Sequence, residues 1–225
     1  MPLVAIVPDV LWHAQWPLKF GPLSLTTRMT VVRLRDGSLW VHSPILPTKD
    51  IVDELCKLGR VGYVVAPNKS HHLFFADFMA VFPDAAGFIA EGVELKRPDL
   101  ARFPRIPRSA PWEPEIEGFF IEGLPIINET AWFHRDTGSL ILADLLFCFS
   151  SSNTGIAALI SKLLGVHGRL GMSRTMKLAT KDRQALQKTV TPLLSLPIKR
   201  VIVAHDQIVD EEPAQKIEQA FSWLR

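Results

Sequence analysis

The order of hydrophobic and polar residues predicts alternating strands and helices over most of the chain. In the first half, the segments are a hairpin at 29–42, a helix at 48–59, a buried strand at 61–66, a helix at 73–82 and a strand at 86–90. In the second half, they are strands at 118–122, 130–134, 139–143 and 200–204, and helices at 154–164, at 181–196 and from 211 onward. Asp36 and Gly37 supply the tight turn of the hairpin, since both tolerate a positive φ angle.

The two halves are joined by a proline-rich stretch at 96–115, which breaks any regular period and predicts a surface connection. Strands occur in both halves, and helices follow them in each. A sandwich with sheets inside and helices outside accommodates this order in one domain. We therefore expect a single domain over residues 1–225.

Composition narrows the class of protein. The chain has 225 residues, 48% apolar and 21% charged, which excludes a disordered chain. The net charge of +2 gives no reason to expect a nucleic-acid or membrane partner. Two cysteines are too few for a disulfide framework, and the first residues lack the basic start of a secretory signal. These features predict a cytoplasmic protein.

Residues with ligand side chains follow three of the apolar strands. His71 and His72 come after the strand at 61–66, Asp144 follows 139–143, and His205 follows 200–204. The carboxyl ends of neighbouring parallel strands share one edge of a sheet, where open α/β sheets place their sites. Imidazole and carboxylate suit zinc, iron and manganese. The same residues also have ordinary explanations: the start of a helix for the histidine pair, a capping group for Asp144 and a turn for His205.

At these residues the sequence resembles the metallo-β-lactamase superfamily, in particular a divergent branch of short members. The superfamily pattern is a strand followed by H-x-H-x-D-H, then a lone histidine, an aspartate after a late strand and a final histidine. In that pattern Asn68 and Ser70 stand at the first two histidines, and His71 and His72 stand at the aspartate and the last histidine. The segments 139–147 and 201–205 resemble those that deliver the bridging aspartate and the final histidine. The match runs from about Arg28 to Arg225.

This resemblance implies an α/β (α+β) fold, a four-layer αββα sandwich. It also implies that the first metal site of the superfamily is lost, because Asn68, Ser70 and a position near Pro125 offer none of its histidines. Glu129 lies near Pro125 but out of register. The second site keeps four candidate ligands, His71, His72, Asp144 and His205. The implied cofactor is one divalent transition metal, with zinc the first expectation and iron or manganese the alternatives. The adjacent histidines can share a metal only in an irregular loop before the helix.

The activity that the resemblance implies is hydrolysis of a small ester, thioester or lactone, with Asp144 as catalytic residue as well as metal ligand. The segment between Leu145 and Thr180 contains no acidic residue, and Gly165, Gly168 and Gly171 within it suggest a mobile lid. Its residues Arg169, Arg174 and Lys177 are candidates for binding an anionic small-molecule substrate. The alternative is a catalytically inactive binding or scaffold protein of the same fold. The sequence leaves the oligomeric state open.

Overall fold

The computed structural model describes residues 2–20 and 23–225, which form two compact units, each with helices and strands. The first unit comprises Met1–Trp16 and Thr27–Glu115, and the second comprises Pro17–Thr26 and Ile116–Arg225. The expected α+β class is confirmed, since the chain contains two mixed sheets and helices. The expectation of one domain over residues 1–225 stays a prediction.

The first sheet has six strands, which lie next to one another in chain order. They are β1 (Val4–Val7), β2 (Leu11–Phe20), β3 (Leu23–Arg33), β4 (Leu39–His42), β5 (Val61–Ala66) and β6 (Ala86–Ile89). Strands β3 and β4 pair antiparallel, as the predicted hairpin requires, whereas β4, β5 and β6 pair parallel. The early strands β1 and β2 are absent from the sequence-based prediction.

The helices of the first unit follow the strands of its sheet. They are α1 (Lys49–Leu58), α2 (Phe75–Val81) and α3 (Val93–Lys96), followed by a 3₁₀ turn at Pro98–Leu100. Helix α1 matches the prediction because Ile51 and Leu55 recur at helical spacing and are both buried. Helix α2 begins two residues later than predicted, which leaves His71 and His72 in the turn before it.

The proline-rich connection is partly buried, in contrast to the predicted surface position. Trp112 is only 1% exposed. Its ring lies 5.2 Å from that of Tyr63 and 5.1 Å from that of Phe88, and both of these belong to the parallel strands of the first sheet. An aromatic side chain of this size makes a large contribution to the core, so one tryptophan fixes this connection to the sheet.

The second sheet has five strands in the order β11, β10, β9, β8, β7. In chain order they are β7 (Ile116–Phe120), β8 (Thr130–His134), β9 (Ser139–Ile141), β10 (Arg200–Ile202) and β11 (Ile208–Val209). Strands β9 and β10 pair parallel, and the other neighbours pair antiparallel. Residues that follow the two parallel strands leave the sheet at the same edge.

Four helices belong to the second unit: α4 (Gly155–Leu164), α5 (Arg174–Ala179), α6 (Arg183–Val190) and α7 (Pro213–Phe221). The predicted helix at 181–196 changes to a 3₁₀ helix at Thr191–Ser195, where Pro192 cannot donate a helical hydrogen bond. Buried residues of α6 and α7, such as Leu186 and Ile217, share one hydrophobic cluster with Leu140 and Val201 of the sheet. Within the described ranges, no helix combines the length and the apolar character that crossing a membrane requires.

The predicted lid, between Leu145 and Thr180, contains two helices and paired backbone. Phe147 and Gly171 exchange both backbone hydrogen bonds at 2.9 Å, and the N–H of Phe149 donates to Val166. Gly165 ends α4 in the left-handed conformation, which glycine adopts without steric cost. Gly165 therefore ends a helix, and Gly171 lies in paired backbone, within a hydrogen-bonded segment.

Gly123 occupies the position in this unit that tolerates a side chain least. Its φ is +78°, and a Cβ atom there would overlap the carbonyl oxygen of Asp182. The carbonyl oxygen of Gly123 accepts the N–H groups of Lys181 and Asp182, so the opposing backbone cannot withdraw. We expect Gly123→Ala to lower the free energy of unfolding by roughly 3 kcal/mol or more in urea denaturation.

The control is Gly37→Ala, since Gly37 has a similar φ of +82° but no atom within 4 Å of the added carbon. It isolates the conformational strain, and we expect a loss of about 1 kcal/mol. Equal losses at the two positions would contradict the proposed backbone overlap at Gly123.

Candidate metal centre

Asp144 and His205 lie together in the second unit because their strands are parallel neighbours. Ile141 of β9 pairs with Ile202 of β10, and each ligand candidate follows its strand by three residues. The Oδ1 atom of Asp144 and the Nε2 atom of His205 are 3.2 Å apart. Both residues are buried, with 6% and 8% of their surfaces exposed. The structure thus confirms that these two strand ends converge.

The imidazole ring of His205 is fixed in one orientation. Its Nδ1–H donates to the backbone carbonyl of Thr26 at 2.7 Å, and its ring stacks on that of Phe147 at 5.6 Å. Because a carbonyl oxygen only accepts, the Nδ1 atom carries a proton, and Nε2 is the nitrogen that faces Asp144. Nε2 of His205 and Oδ1 of Asp144 are then both acceptors, and their close approach is favourable only with a second proton or another cation between them.

A divalent metal ion fits this pair. Two ligand atoms, each about 2.1 Å from a tetrahedral ion, are separated by about 3.4 Å, close to the observed spacing. Metal-bound histidines commonly donate their other ring N–H to a backbone carbonyl, as His205 does to Thr26. Burial of both side chains further favours an ion, since it excludes competing water.

Glu129 holds the backbone that carries Asp144. Its carboxylate accepts the N–H groups of Ala143, Asp144 and Leu145 at 2.8, 2.6 and 3.1 Å, and the residue is 1% exposed. The sequence suggested Glu129 only as a poor substitute for a missing histidine. Its neighbours in the sequence, Asn128 and Thr130, are polar, so the sequence does not indicate that the acid is buried. The partners are backbone groups, which no residue pattern identifies.

His71 lies in a structured turn of the first unit, between β5 and α2. Its Nδ1 is 2.7 Å from the hydroxyl oxygen of Ser43, and its backbone N–H donates to Oδ1 of Asn68 at 2.8 Å. Asn68 accepts a second N–H, from Ser70, and is fully buried. The oxygen of Asn68, which stands at a histidine position of the superfamily pattern, therefore shapes the turn. This is the irregular loop that two adjacent ligands require.

His72 is buried in the same turn. Among the described residues its Nδ1 has no hydrogen-bond partner. Burial lowers the pKa of His72, and the nearby cations Arg97 and Lys96 lower it further. The ring is therefore neutral at pH 7, which is the form that binds metals.

The expectation that the four proposed ligands follow strands of one sheet is wrong. Strand β5, which precedes His71 and His72, belongs to the first sheet, while β9 and β10 belong to the second. Hydrophobic runs identify strands but not their partners, so they do not show that the strands belong to two sheets. The complete ligand set of His71, His72, Asp144 and His205 stays a prediction.

The three cationic residues proposed to bind substrate lie around the end of α4. Arg169 donates from Nε to the carbonyl of Gly165 at 2.7 Å, and Arg174 approaches the same glycine. Burial, with the charges of Arg169 and Arg174, lowers the pKa of Lys177. Arg169 and Lys177 line one cavity with Lys216. A second cavity, of about 380 Å³, contains His205, and its described lining includes none of Arg169, Arg174 and Lys177. Their role in binding substrate stays a prediction.

Comparison with solved structures shows the fold. The chain is similar to the DIM-1 metallo-β-lactamase exposed to ceftazidime, with a TM-score of 0.66 and 11% identity over 99% of this chain and 97% of that one. A metallo-β-lactamase from Pontibacter korlensis gives a TM-score of 0.61 and 14% identity, with the same coverage. A putative diflavin flavoprotein from Nostoc sp., solved as fragment 1–254, gives 0.65 and 9%, with 99% and 95% covered.

Comparison by sequence gives the family. No curated protein sequence matches the chain significantly. The model of one family, described as Domain of unknown function (DUF4336), matches residues 8–190. This match covers most of the chain, and the expected likeness to metallo-β-lactamases is confirmed by the solved structures. The chain thus belongs to the DUF4336 family and has the metallo-β-lactamase fold.

Proposed function

We propose that the protein is a metal-dependent hydrolase with a single-metal site that acts on a small ester, thioester or lactone. The observation that carries the proposal is the buried Asp144–His205 pair at 3.2 Å, with the second ring nitrogen of His205 fixed by Thr26. The metallo-β-lactamase fold supports it, since metallo-β-lactamases are among the solved structures that the chain resembles.

The proposed ligands are Asp144 and His205, together with His71 and His72 as the superfamily pattern implies. Three imidazoles and one carboxylate suit zinc first, with iron and manganese as alternatives. A divalent ion held there supplies Lewis-acid polarisation of a substrate oxygen and acidifies water. Glu129 positions the backbone of Asp144, and Thr26 sets the tautomer of His205.

A single metal limits the reaction. Asn68 uses its oxygen to accept two backbone N–H groups, and Ser70 is an exposed residue of the same turn. These residues therefore support the loss of the superfamily's first site. A two-metal clamp on a phosphodiester is then unavailable, which favours ester, thioester or lactone substrates. The proposed compartment is the cytoplasm, where free cysteines such as Cys56 and Cys148 are ordinary.

The rival proposal is an inactive binding or scaffold protein of the same fold. The observation that favours it is the use of Asn68 for turn formation in place of metal binding. In this case the Asp144–His205 contact is an ion pair of a protonated histidine, with no role in catalysis.

Metal analysis separates the two proposals. Protein purified without added metal is analysed by mass spectrometry, then offered zinc, iron or manganese and screened against esters, thioesters and lactones. We expect about one equivalent of one metal and hydrolysis of at least one substrate class. Less than about a tenth of an equivalent, with no uptake, would establish the scaffold instead.

The assignment of His72 is tested by His72→Ala, which is expected to lose most of the bound metal because one of four ligands is removed. The matched control is His13→Ala, a partly buried histidine of the same unit whose Nδ1 accepts from Arg28. Metal content is measured for both variants. Wild-type content in His72→Ala would remove His72 from the ligand set.

A further inference from the structure

The cavity that contains His205 has mainly apolar walls. Its volume of about 380 Å³ falls at the small end of ligand-binding cavities. The apolar side chains in its wall include Leu25, Phe147, Phe149, Ala157, Ile160 and Leu164. Phe147 also stacks on the ring of His205, so the apolar wall begins directly at the proposed metal ligand.

Two polar groups of this wall, the Asp206 carboxylate and the Ser161 hydroxyl, are already hydrogen bonded within the protein. The Asp206 carboxylate accepts the backbone N–H of Ser150 and the side-chain amides of Asn153 and Gln207, each at 2.8 Å. The Ser161 hydroxyl donates to the carbonyl of Ala158 at 3.0 Å and lies 2.9 Å from Nδ1 of His167. A polar ligand in the cavity would lose its water and gain few partners.

The charges in the wall also disfavour an anion. The described lining includes neither arginine nor lysine, and it does include the Asp206 carboxylate. Arg169 and Lys177 line a different cavity. In the metal-free protein, a carboxylate or phosphate would therefore be desolvated beside a negative charge, and the described lining supplies no counterion.

We propose that this cavity binds the uncharged, apolar acyl or aryl group of the substrate. The substrate class is then a neutral ester, thioester or lactone with an apolar substituent, in place of the anionic compound that the sequence suggested. This assignment of a substrate rests on the proposed hydrolase function, but binding of an apolar group by the cavity does not. Each methylene buried should tighten binding roughly fourfold.

The test measures binding without catalysis. The neutral dye N-phenyl-1-naphthylamine is titrated into the protein in EDTA and then displaced by methyl butanoate, hexanoate or octanoate. We expect saturable binding, and displacement that improves about fifteenfold for each pair of methylenes until the cavity is full. Hexanoate and octanoate anions should compete at least tenfold more weakly than their methyl esters. Absence of saturable binding, or better competition by the anions, would overturn the inference.

Variants locate the dye. Ala157→Phe fills the cavity from α4 and should weaken dye binding at least tenfold, whereas Leu159→Phe is the control because Leu159 is 58% exposed on the same helix. If Ala157→Phe fails to fold by circular dichroism, Ile160→Ala enlarges the cavity and should raise the preference for octanoate over hexanoate. Equal binding by all variants would place the dye elsewhere and overturn the inference.

Activity assays on the metal-loaded protein distinguish the two proposals. If Ala157→Phe abolishes dye binding but no metal gives hydrolysis, the proposal of an apolar binding cavity stands and the proposal of a hydrolase fails. If Ala157→Phe hydrolyses the substrate at the wild-type rate, the proposal of a hydrolase stands, but this cavity does not bind the acyl group of its substrate.

Discussion

Replacement of His205 by alanine is expected to weaken binding of zinc by at least about 100-fold, because it removes a buried side chain that we propose as a metal ligand, 3.2 Å from Asp144. Asp144→Ala should have a similar effect. Zinc affinity is measured on metal-stripped protein by competition with a chromophoric chelator. A parallel melting experiment should show that zinc stabilises the wild type and has little effect on either variant, since an ion that binds only the folded state raises its stability.

Controls come from the same unit. His167→Ala removes a histidine that contacts Ser161, and Asp210→Asn neutralises an exposed aspartate after β11. Both should bind zinc as tightly as the wild type. Retention of wild-type affinity by His205→Ala and Asp144→Ala would show that any bound ion lies elsewhere, and the proposed function would lose its main support.

Glu129→Gln is expected to lower the free energy of unfolding by about 3 kcal/mol, because an amide NH₂ replaces one acceptor oxygen and faces buried backbone N–H groups. The volume of the side chain is almost unchanged, so the loss reports on hydrogen bonding rather than packing. Urea unfolding gives the value. Zinc affinity of the folded variant should also fall, by about tenfold or more, since Asp144 loses its positioning residue.

The control is Glu117→Gln. Glu117 forms an ion pair with Arg135 at the surface, at 2.5 Å, and both side chains are at least one-third exposed. Such pairs contribute about 1 kcal/mol or less. If Glu129→Gln were as mild as Glu117→Gln, the three backbone contacts would not determine the stability of the Asp144 loop.

Local sequence patterns predict several of the strands, helices and loops around the candidate site. The strand at 61–66 and the helix from Lys49 are set by β-branched runs, helical spacing and a stop at glycine or proline, all within a few residues. The sequence also predicts the convergence of Asp144 and His205, because both follow apolar strands. The structure confirms it, since these strands are parallel neighbours. Pro67 and Asn68, which follow β5 directly, indicate the loop before α2.

Features that depend on distant partners were missed. The membership of β5 in a different sheet from β9 cannot be read from hydrophobic runs, since both strands are buried. Helix α5 has only six residues and no fully buried one, and only Met176 and Ala179 pack against the core, so its apolar face is too short to signal a helix. The role of Glu129 depends on backbone N–H groups 14 to 16 positions away. Backbone donors are the same in every sequence, and only the fold selects which of them an acid meets.

The parallel pairing of β9 and β10 would tie release of the proposed ion to the edge of a sheet. Asp144 and His205 are 61 positions apart, so their proximity depends on strand β10 staying in register. On its other side β10 has only the two-residue strand β11. Short edge pairs open more readily than the rest of a domain. The residence time of an ion held by the pair is therefore set by how often this edge frays, as well as by the strength of its bonds to the ligands.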